Sequence, residues 1–438
     1  MSRVRELLAA SELIQIETEV ERESQAILKG GTEQQMQQFL ALYESWPQSA
    51  EVRQRLATAL RTRGEFQRAE FLWLKNRASQ EVSVVAEANR QLMDLWNQLG
   101  LYSEAAMLAE ELASPRFDAV RLQDGQTPAD VLASLAPDEM LRQAISRRTL
   151  SNYRSNHVTI TEQRWTPTEK KLLDAFGAYR REFSLLPGSS FQLLDKGWVD
   201  EENKEYPETR IAVIDRTSGL IQGKVQVPLR NSYPSLSKRA HVGHFFPVGS
   251  INRMTGVSLL EIENEKPLWK SRLGNGAAYD HILRPGPAGP GFCTFQGQQD
   301  LIVLDPATGQ TLWKRSDIDH SSGLVSDPYA GLFGDEEVLV LFNSNRSAYT
   351  VFRTQTGEEL HHGELDIDTG QIRRIFGRKL FYITHTQEGR RMRIWDFGKN
   401  EMVFDEPAGN RIFSALTPDH ELVVLIPPKP DEETDDEA

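Results

Sequence analysis

Leu301-Ile302-Val303-Leu304-Asp305-Pro306-Ala307-Thr308-Gly309-Gln310-Thr311-Leu312-Trp313 is the stretch that decides the fold of this chain. Four apolar residues in a row fit a strand buried on both faces. Asp-Pro-Ala-Thr-Gly then turns the chain: Asp accepts backbone N–H bonds, Pro presets φ, and Gly takes positive φ. Thr311-Leu312-Trp313 starts the next strand. With Asp305 as register, the same slot recurs at Asp215, Glu261, Arg353 and Asp396, at intervals of 46, 44, 48 and 43 residues. Four residues on, the turn slot reads Gly219, Glu265, Gly309, Gly357 and Asn400. Eight residues on, a docking slot reads Gly223, Trp269, Trp313, His361 and Phe404. A period near 45 with strand patterning is that of a β-propeller, each repeat being one four-stranded blade.

Strands are predicted around each turn. In the third repeat they cover Gly291–Phe295, Asp300–Leu304 and Thr311–Trp313, preceded by a Pro-Gly linker, Arg284–Gly291. In the fourth they cover Glu337–Phe342, Ala348–Phe352 and Glu359–His361. In the fifth they cover Lys379–Thr384, Met392–Trp395 and Met402–Phe404. The first two repeats look looser, with inserts at Val199–Tyr206 and Asn252–Gly256. Arg411–Ala415 and Glu421–Ile426 read as the opening strands of a sixth blade, which makes five full blades and an incomplete sixth. The expectation is an open arc, or a ring closed by strands borrowed from Val158–Thr161. Open strand edges invite self-association or a second chain that completes the ring.

The first half has helical spacing. Leu56, Leu60, Gly64, Phe66, Ala69 and Trp73 map at an offset of 36 onto Leu92, Trp96, Gly100, Tyr102, Ala105 and Ala109. Each copy ends a helix at Gly, covers the turn with an aromatic residue, and opens a second helix at a small Ala. A helix at Gln34–Glu44 stacks before them, and one at Pro128–Ser146, capped by Thr127, stacks after. The organisation read from these patterns is a helical region at 1–147, a connector at 148–187, a propeller at 188–427 and an acidic tail at 428–438. A helical piece is predicted at Thr168–Tyr179 within the connector. The tail carries six acids in the seven residues Asp431–Glu437, which predicts disorder.

The chain has 438 residues, a net charge of −13 and one cysteine. The acidic balance argues against nucleic acid as a partner. Met1–Val20 interleaves acids with apolar residues, as an amphipathic helix does and a signal peptide does not. No stretch is apolar for about 20 residues, so no transmembrane segment is expected and the cytoplasm is the default compartment. Cys293, within Phe292-Cys293-Thr294-Phe295, reads as a buried inert thiol.

The 303–313 sequence resembles the repeat of pyrroloquinoline-quinone-type propellers: a small residue, Asp, Thr-Gly, then a Trp that packs between blades. Trp313 fits well, and Trp269 follows a degenerate turn, Ile262–Glu265. The resemblance covers about Phe191–Ile426. The 50–113 stretch is similar to the tetratricopeptide repeat, without its first-helix aromatic and closing Pro. Together they look like bacterial proteins, frequent among planctomycetes, described only as quinone-type propeller repeat proteins. The resemblance implies blade-docking roles for Trp269, Trp313 and Phe404, and blade-turn roles for Asp215, Gly219, Asp305, Gly309, Gly357 and Asp396.

The quinone dehydrogenases of that superfamily need a catalytic Asp, a calcium site and often a vicinal disulfide. One cysteine excludes the intrachain disulfide, and no carboxylate cluster matches the calcium pattern. His241-Val242-Gly243-His244 has metal-like spacing and His361-His362 is a pair, but neither has a third spaced ligand. No catalytic, cofactor-binding or metal-binding residue is assigned. The expected function is a non-enzymatic scaffold that binds a protein partner. The alternative is a cofactor binder or quinoprotein-like oxidoreductase working in the central channel.

Overall fold

The computed structural model describes residues 10–151 except 137–138, the strands of the first sheet, and 241–425 with short interruptions. The pieces expected at 158–161 and 168–179, Gly219, the insert at 199–206 and the acidic tail lie outside the described residues.

Eight α-helices are described: α1 Ala10–Gly30, α2 Glu33–Tyr43, α3 Ser49–Thr62, α4 Phe66–Arg77, α5 Val82–Gln98, α6 Tyr102–Leu112, α7 Pro128–Ser134 and α8 Met140–Ser151. Helix α2 opens with a reciprocal cap between Thr32 and Gln35, and α7 with one between Thr127 and Asp130. The α3/α4 and α5/α6 hairpins obey the 36-residue offset. Gly64 (φ 81°) and Gly100 (φ 75°) end α3 and α5 in left-handed conformation. The next residues, Glu65 and Leu101, donate back to the Leu60 and Trp96 carbonyls at 3.0 and 2.8 Å. That is the double-bonded helix stop that left-handed Gly permits. Ala69 and Ala105 are fully buried where the partner helices meet, in a core that includes Leu56, Leu60, Trp73, Leu92 and Trp96.

The single helix expected over Pro128–Ser146 is two helices. Leu135 leaves the helix with extended backbone (ψ 128°), two residues ahead of Pro137. Proline lacks an N–H and disfavours helix in its predecessor, so the break follows from the sequence.

The second half is a row of antiparallel sheets. β1 (Glu182–Ser184) to β4 (Ile221–Pro228), with β2 Phe191–Gly197 and β3 Glu208–Asp215, form the first. β1 falls inside the span read as connector. β5 (Phe245–Ser250), β6 (Arg253–Ser258) and β7 (Trp269–Arg272) form a three-stranded sheet among the described residues. Three four-stranded sheets follow. The first of them is β8 Arg284–Gly289, β9 Phe292–Gln296, β10 Leu301–Leu304 and β11 Thr311–Arg315. The next is β12 Leu332–Gly334, β13 Val338–Phe342, β14 Ala348–Arg353 and β15 Glu359–Glu364. The last is β16 Ile372–Phe376, β17 Lys379–Thr386, β18 Gly389–Asp396 and β19 Glu401–Pro407. β20 (Phe413–Leu416) and β21 (Leu422–Leu425) pair with each other. The first strands are neighbours: β8 packs on β12, and β16 on β20. Among the described residues no strand pair joins the last sheet to the first, and the sheets do not close into a ring.

Two expectations are corrected. The Pro-Gly linker is strand β8, the innermost of its blade, and its pairing with β9 slips between Pro285 and Ala288. An edge strand needs no N–H on its open side, so Pro285 and Pro287 are tolerated there. Of the supposed insert Asn252–Gly256, Arg253–Gly256 belong to β6 and Asn252 to the turn ahead of it. Gly256 pairs with Trp269, and a Cβ at 256 would collide with the indole, so glycine makes room for the ring.

A register shift marks the same repeat position in four sheets, at Val213/Ile214, Val303/Leu304, Val351/Phe352 and Ile394/Trp395. Such a bulge bends the third strand just before the turn. It makes the turn slots and docking slots geometrically equivalent from blade to blade.

Candidate functional site

The turns set up the contacts between blades. Asp305 Oδ1 accepts from the Ala307 and Thr308 N–H groups at 2.9 and 2.8 Å. Asp396 Oδ1 accepts from the Gly398 and Lys399 N–H groups at 2.9 and 3.2 Å. Gly309 (φ 70°), Gly357 (φ 69°) and Asn400 (φ 56°) hold the left-handed slot. Asp215 ends β3, paired with Phe191.

The docking residues lie on the following blade's turn. Trp269, 8% exposed, donates its Nε1–H to the Pro306 carbonyl at 2.8 Å. Trp313 donates to the Thr354 carbonyl at 2.7 Å. Both carbonyls belong to the residue just after the Asp305 slot. A Cβ at Gly309 would meet the Trp269 ring at 2.5 Å, and one at Gly357 the Trp313 ring at 2.7 Å. Glycine in the turn slot therefore supplies both positive φ and a seat for the indole. His361 departs from tryptophan yet repeats the bond: its Nε2–H donates to the Phe397 carbonyl, the equivalent position, at 2.9 Å. Its packing place is explained without a metal.

Phe404 corrects the docking expectation. It is 37% exposed, beside Val403 at 40%. Among the described residues no turn of a following blade lies under it as Gly309 lies under Trp269 and Gly357 under Trp313. Arg378 adds a polar link between the fourth and fifth blades through Asp396 (3.2 Å), Asp335 (3.9 Å) and Glu337.

The most concentrated buried chemistry lies where α4 crosses the turns of the second blade. Glu70, on α4, is fully buried and accepts four hydrogen bonds. Its Oε1 takes His244 Nδ1–H at 2.6 Å and Trp96 Nε1–H at 2.9 Å. Its Oε2 takes Gln67 Nε2–H at 2.7 Å and the His244 backbone N–H at 3.1 Å. Gln67 in turn accepts from Ser258 Oγ–H at 2.7 Å. The Trp96 ring stands edge-on to His244 at 5.1 Å, and Phe71 meets Phe245 edge-on at 5.3 Å. Apolar burial and a saturated polar group therefore share one seam. Burial alone lowers the His244 pKa, but the Glu70 carboxylate, with help from Glu104, outweighs it and moves the imidazole above its ordinary value.

Glu261 gives the degenerate second turn a reason. It stands in the slot where Asp305 and Asp396 cap their own turns. It reaches α4, whose Gln67 N–H donates to Glu261 Oε1 at 3.3 Å. The α4 cap position, Glu65, makes no side-chain cap of its own. A propeller carboxylate thus serves the positive end of a helix from the other half of the chain. Burial pushes the Glu261 carboxyl up, and the Gln67 bond pulls it back. Glu261 also lines an open cleft of ≈ 240 Å³ with Ser258, Lys266, Pro267 and Leu268. Glu261→Ala is expected to cost about 1 kcal/mol, the usual value of a lost cap. Urea unfolding of the variant checks this, and an unchanged midpoint would rule out the capping role.

Sequence reasoning had flagged His244 only as a metal candidate and Glu261 only as a turn acid. It missed Glu70, Gln67, Trp96 and Ser258. The available signal was a carboxylate among the buried residues of α4, spaced three from Gln67 and three from Trp73. Among the described residues no group of three or more His, Cys, Asp or Glu side chains could hold a metal ion. Cys293 is fully buried, and burial pushes its thiol well above the ordinary value, so it stays protonated. No described helix is long and apolar enough to cross a membrane.

No family model matches the chain, and no curated protein matches it. Solved structures overlap it loosely. The computationally designed Ika8 protein aligns at 13% identity over 56% of this chain and 70% of its own, with a TM-score of 0.34. BamB from Moraxella catarrhalis aligns at 13% over 54% of this chain and 79% of its own, with a TM-score of 0.26. Quinohemoprotein alcohol dehydrogenase from Comamonas testosteroni aligns at 10% over 56% and 47%, with a TM-score of 0.30. These likenesses are coarse, and no functional argument rests on them.

Proposed function

We propose that the chain is a non-enzymatic scaffold, in which tetratricopeptide-like hairpins and a quinone-type propeller present interaction surfaces to a protein partner. The observation that supports this most is the composition of the innermost strands. β5 reads Phe-Phe-Pro-Val-Gly-Ser, β8 Arg-Pro-Gly-Pro-Ala-Gly, β12 Leu-Phe-Gly and β16 Ile-Arg-Arg-Ile-Phe, none with a carboxylate, and β1, Glu-Phe-Ser, brings one acid, Glu182. A calcium-dependent quinone site needs carboxylate and amide oxygens converging on that axis. The concentrated buried acids are spent elsewhere, on joining α4 to the second blade. Exposed apolar side chains on outer strands, Leu312 on β11 and Val403 and Phe404 on β19, are candidates for partner contact.

The purified full chain is expected to give no dye reduction above the no-protein background with alcohols or sugars, pyrroloquinoline quinone and calcium. Turnover in that assay would favour the oxidoreductase reading instead. As bait, the chain is expected to retain a protein partner that the Leu312→Glu/Phe404→Glu variant loses while its melting curve stays unchanged. Retention by that variant would move the contact away from the outer strands.

A further inference from the structure

The seam between α4 and the second blade encloses an imidazole and two acids. His244 is 1% exposed, Glu70 fully buried and Glu104 2% exposed. From α4 the ring is faced by Glu70, whose Oε1 lies 2.6 Å from Nδ1. From α5 it is faced by the uncharged Trp96 ring, and from α6 by the Glu104 charge. Two carboxylates from two helices, Glu70 and Glu104, thus act on His244. The histidine itself comes from the blade, just ahead of β5, and so do Ser258 and Glu261, the other partners of α4. A proton on His244 therefore neutralises helical acids with a propeller cation across the joint.

We propose that protonation of His244 latches the helical hairpins to the propeller, and that the seam loosens once rising pH neutralises the ring. The direction follows from linkage. Burial alone would favour the neutral ring, but the Glu70 charge and hydrogen bond overbalance it, so the joined state binds the proton more tightly than the separated one. The latch is at full strength below the ordinary histidine pKa and fades as pH rises through the higher value held in the seam. A neutral ring can still donate Nδ1–H to Glu70. What it no longer offers is a positive charge beside Glu70 and within the field of Glu104, so the joint weakens without being abolished. The proposal concerns how the two halves hold together, and stands whether or not the scaffold reading does.

Hydrogen exchange on the full chain, corrected for intrinsic rates and read at pH 6 and pH 9, tests it. Protection across 66–77 and 241–260 is expected to fall severalfold or more from pH 6 to pH 9, since opening of the seam sets exchange there. Strands β13 and β14, remote from His244, are the internal control and are expected to hold steady. Equal seam protection at both pH values would overturn the proposal. So would an equal loss in β13 and β14, which would report general softening. His244→Gln is expected to remove the seam-specific pH dependence, and its survival in that variant would also overturn the proposal. Should the variant not fold, the wild-type comparison of seam with control decides alone.

Discussion

Trp269→Ala is expected to be the most damaging single truncation in the propeller, at about 3–5 kcal/mol, the range for removing a large buried aromatic side chain. Three losses coincide. The indole sits between the second and third blades, with Phe245 at 6.2 Å and Phe295 at 6.5 Å between ring centroids. Its removal leaves the Pro306 carbonyl without the Nε1–H donor at 2.8 Å. It also opens a void above Gly309 and Gly256, neither of which has a side chain to fill it. Trp269→Phe separates the terms: it keeps most of the ring and drops the donor, for an expected cost of about 1 kcal/mol. Trp313→Ala should cost less than Trp269→Ala, because Trp313 is only partly buried. Urea unfolding followed by far-ultraviolet circular dichroism gives the ranking. An unchanged midpoint for Trp269→Ala would remove the indole from its docking role.

How far this was legible in the sequence depends on whether the physics was local. The turn at 305–309 is a local matter of an acceptor side chain, a fixed φ and a positive φ, so the period could be read from residues alone. The helix stops at Gly64 and Gly100 were legible for the same reason. Strand β8 was not, because two prolines and two glycines in six residues carry no strand signal. It is a strand because β9 offers it a ladder and its open edge excuses the missing N–H groups. His361 was illegible as a donor, since only the third dimension shows an imidazole reaching the carbonyl that tryptophan reaches elsewhere. The seam was the least legible feature. Its residues lie 174 to 194 positions apart in the chain, and Glu70 read as one more helical acid. Glu261 did leave a trace. Its turn has neither the Asp nor the Gly, at least one of which every other copy keeps, and Glu261 serves α4.

Glu70→Ala is expected to rival Trp269→Ala, at about 3–5 kcal/mol, the cost of leaving the partner of a buried charge pair uncompensated. The carboxylate is the common acceptor for Trp96 Nε1–H, Gln67 Nε2–H, and the Nδ1–H and backbone N–H of His244. Alanine strands all four donors in a site that water does not reach, and each buried orphan costs about 1–3 kcal/mol before any rearrangement. The damage should be confined to the joint. The helical core around Leu92 and Leu95 and the blade core around Val340 and Val351 do not depend on Glu70. Hydrogen exchange should therefore show protection lost at 66–77 and 241–260 and kept in β13 and β14. Glu70→Gln is the sharper probe, because the amide oxygen can accept from only some of the four donors while its NH₂ faces the others. It should reproduce most of the loss with almost no change in volume. If Glu70→Gln leaves seam protection intact, the joint is held by Phe71 and its apolar neighbours, and the polar cluster is a passenger. If both variants open the seam while the blades persist, the same four bonds that satisfy one buried carboxylate are what fix the helical hairpins on the propeller.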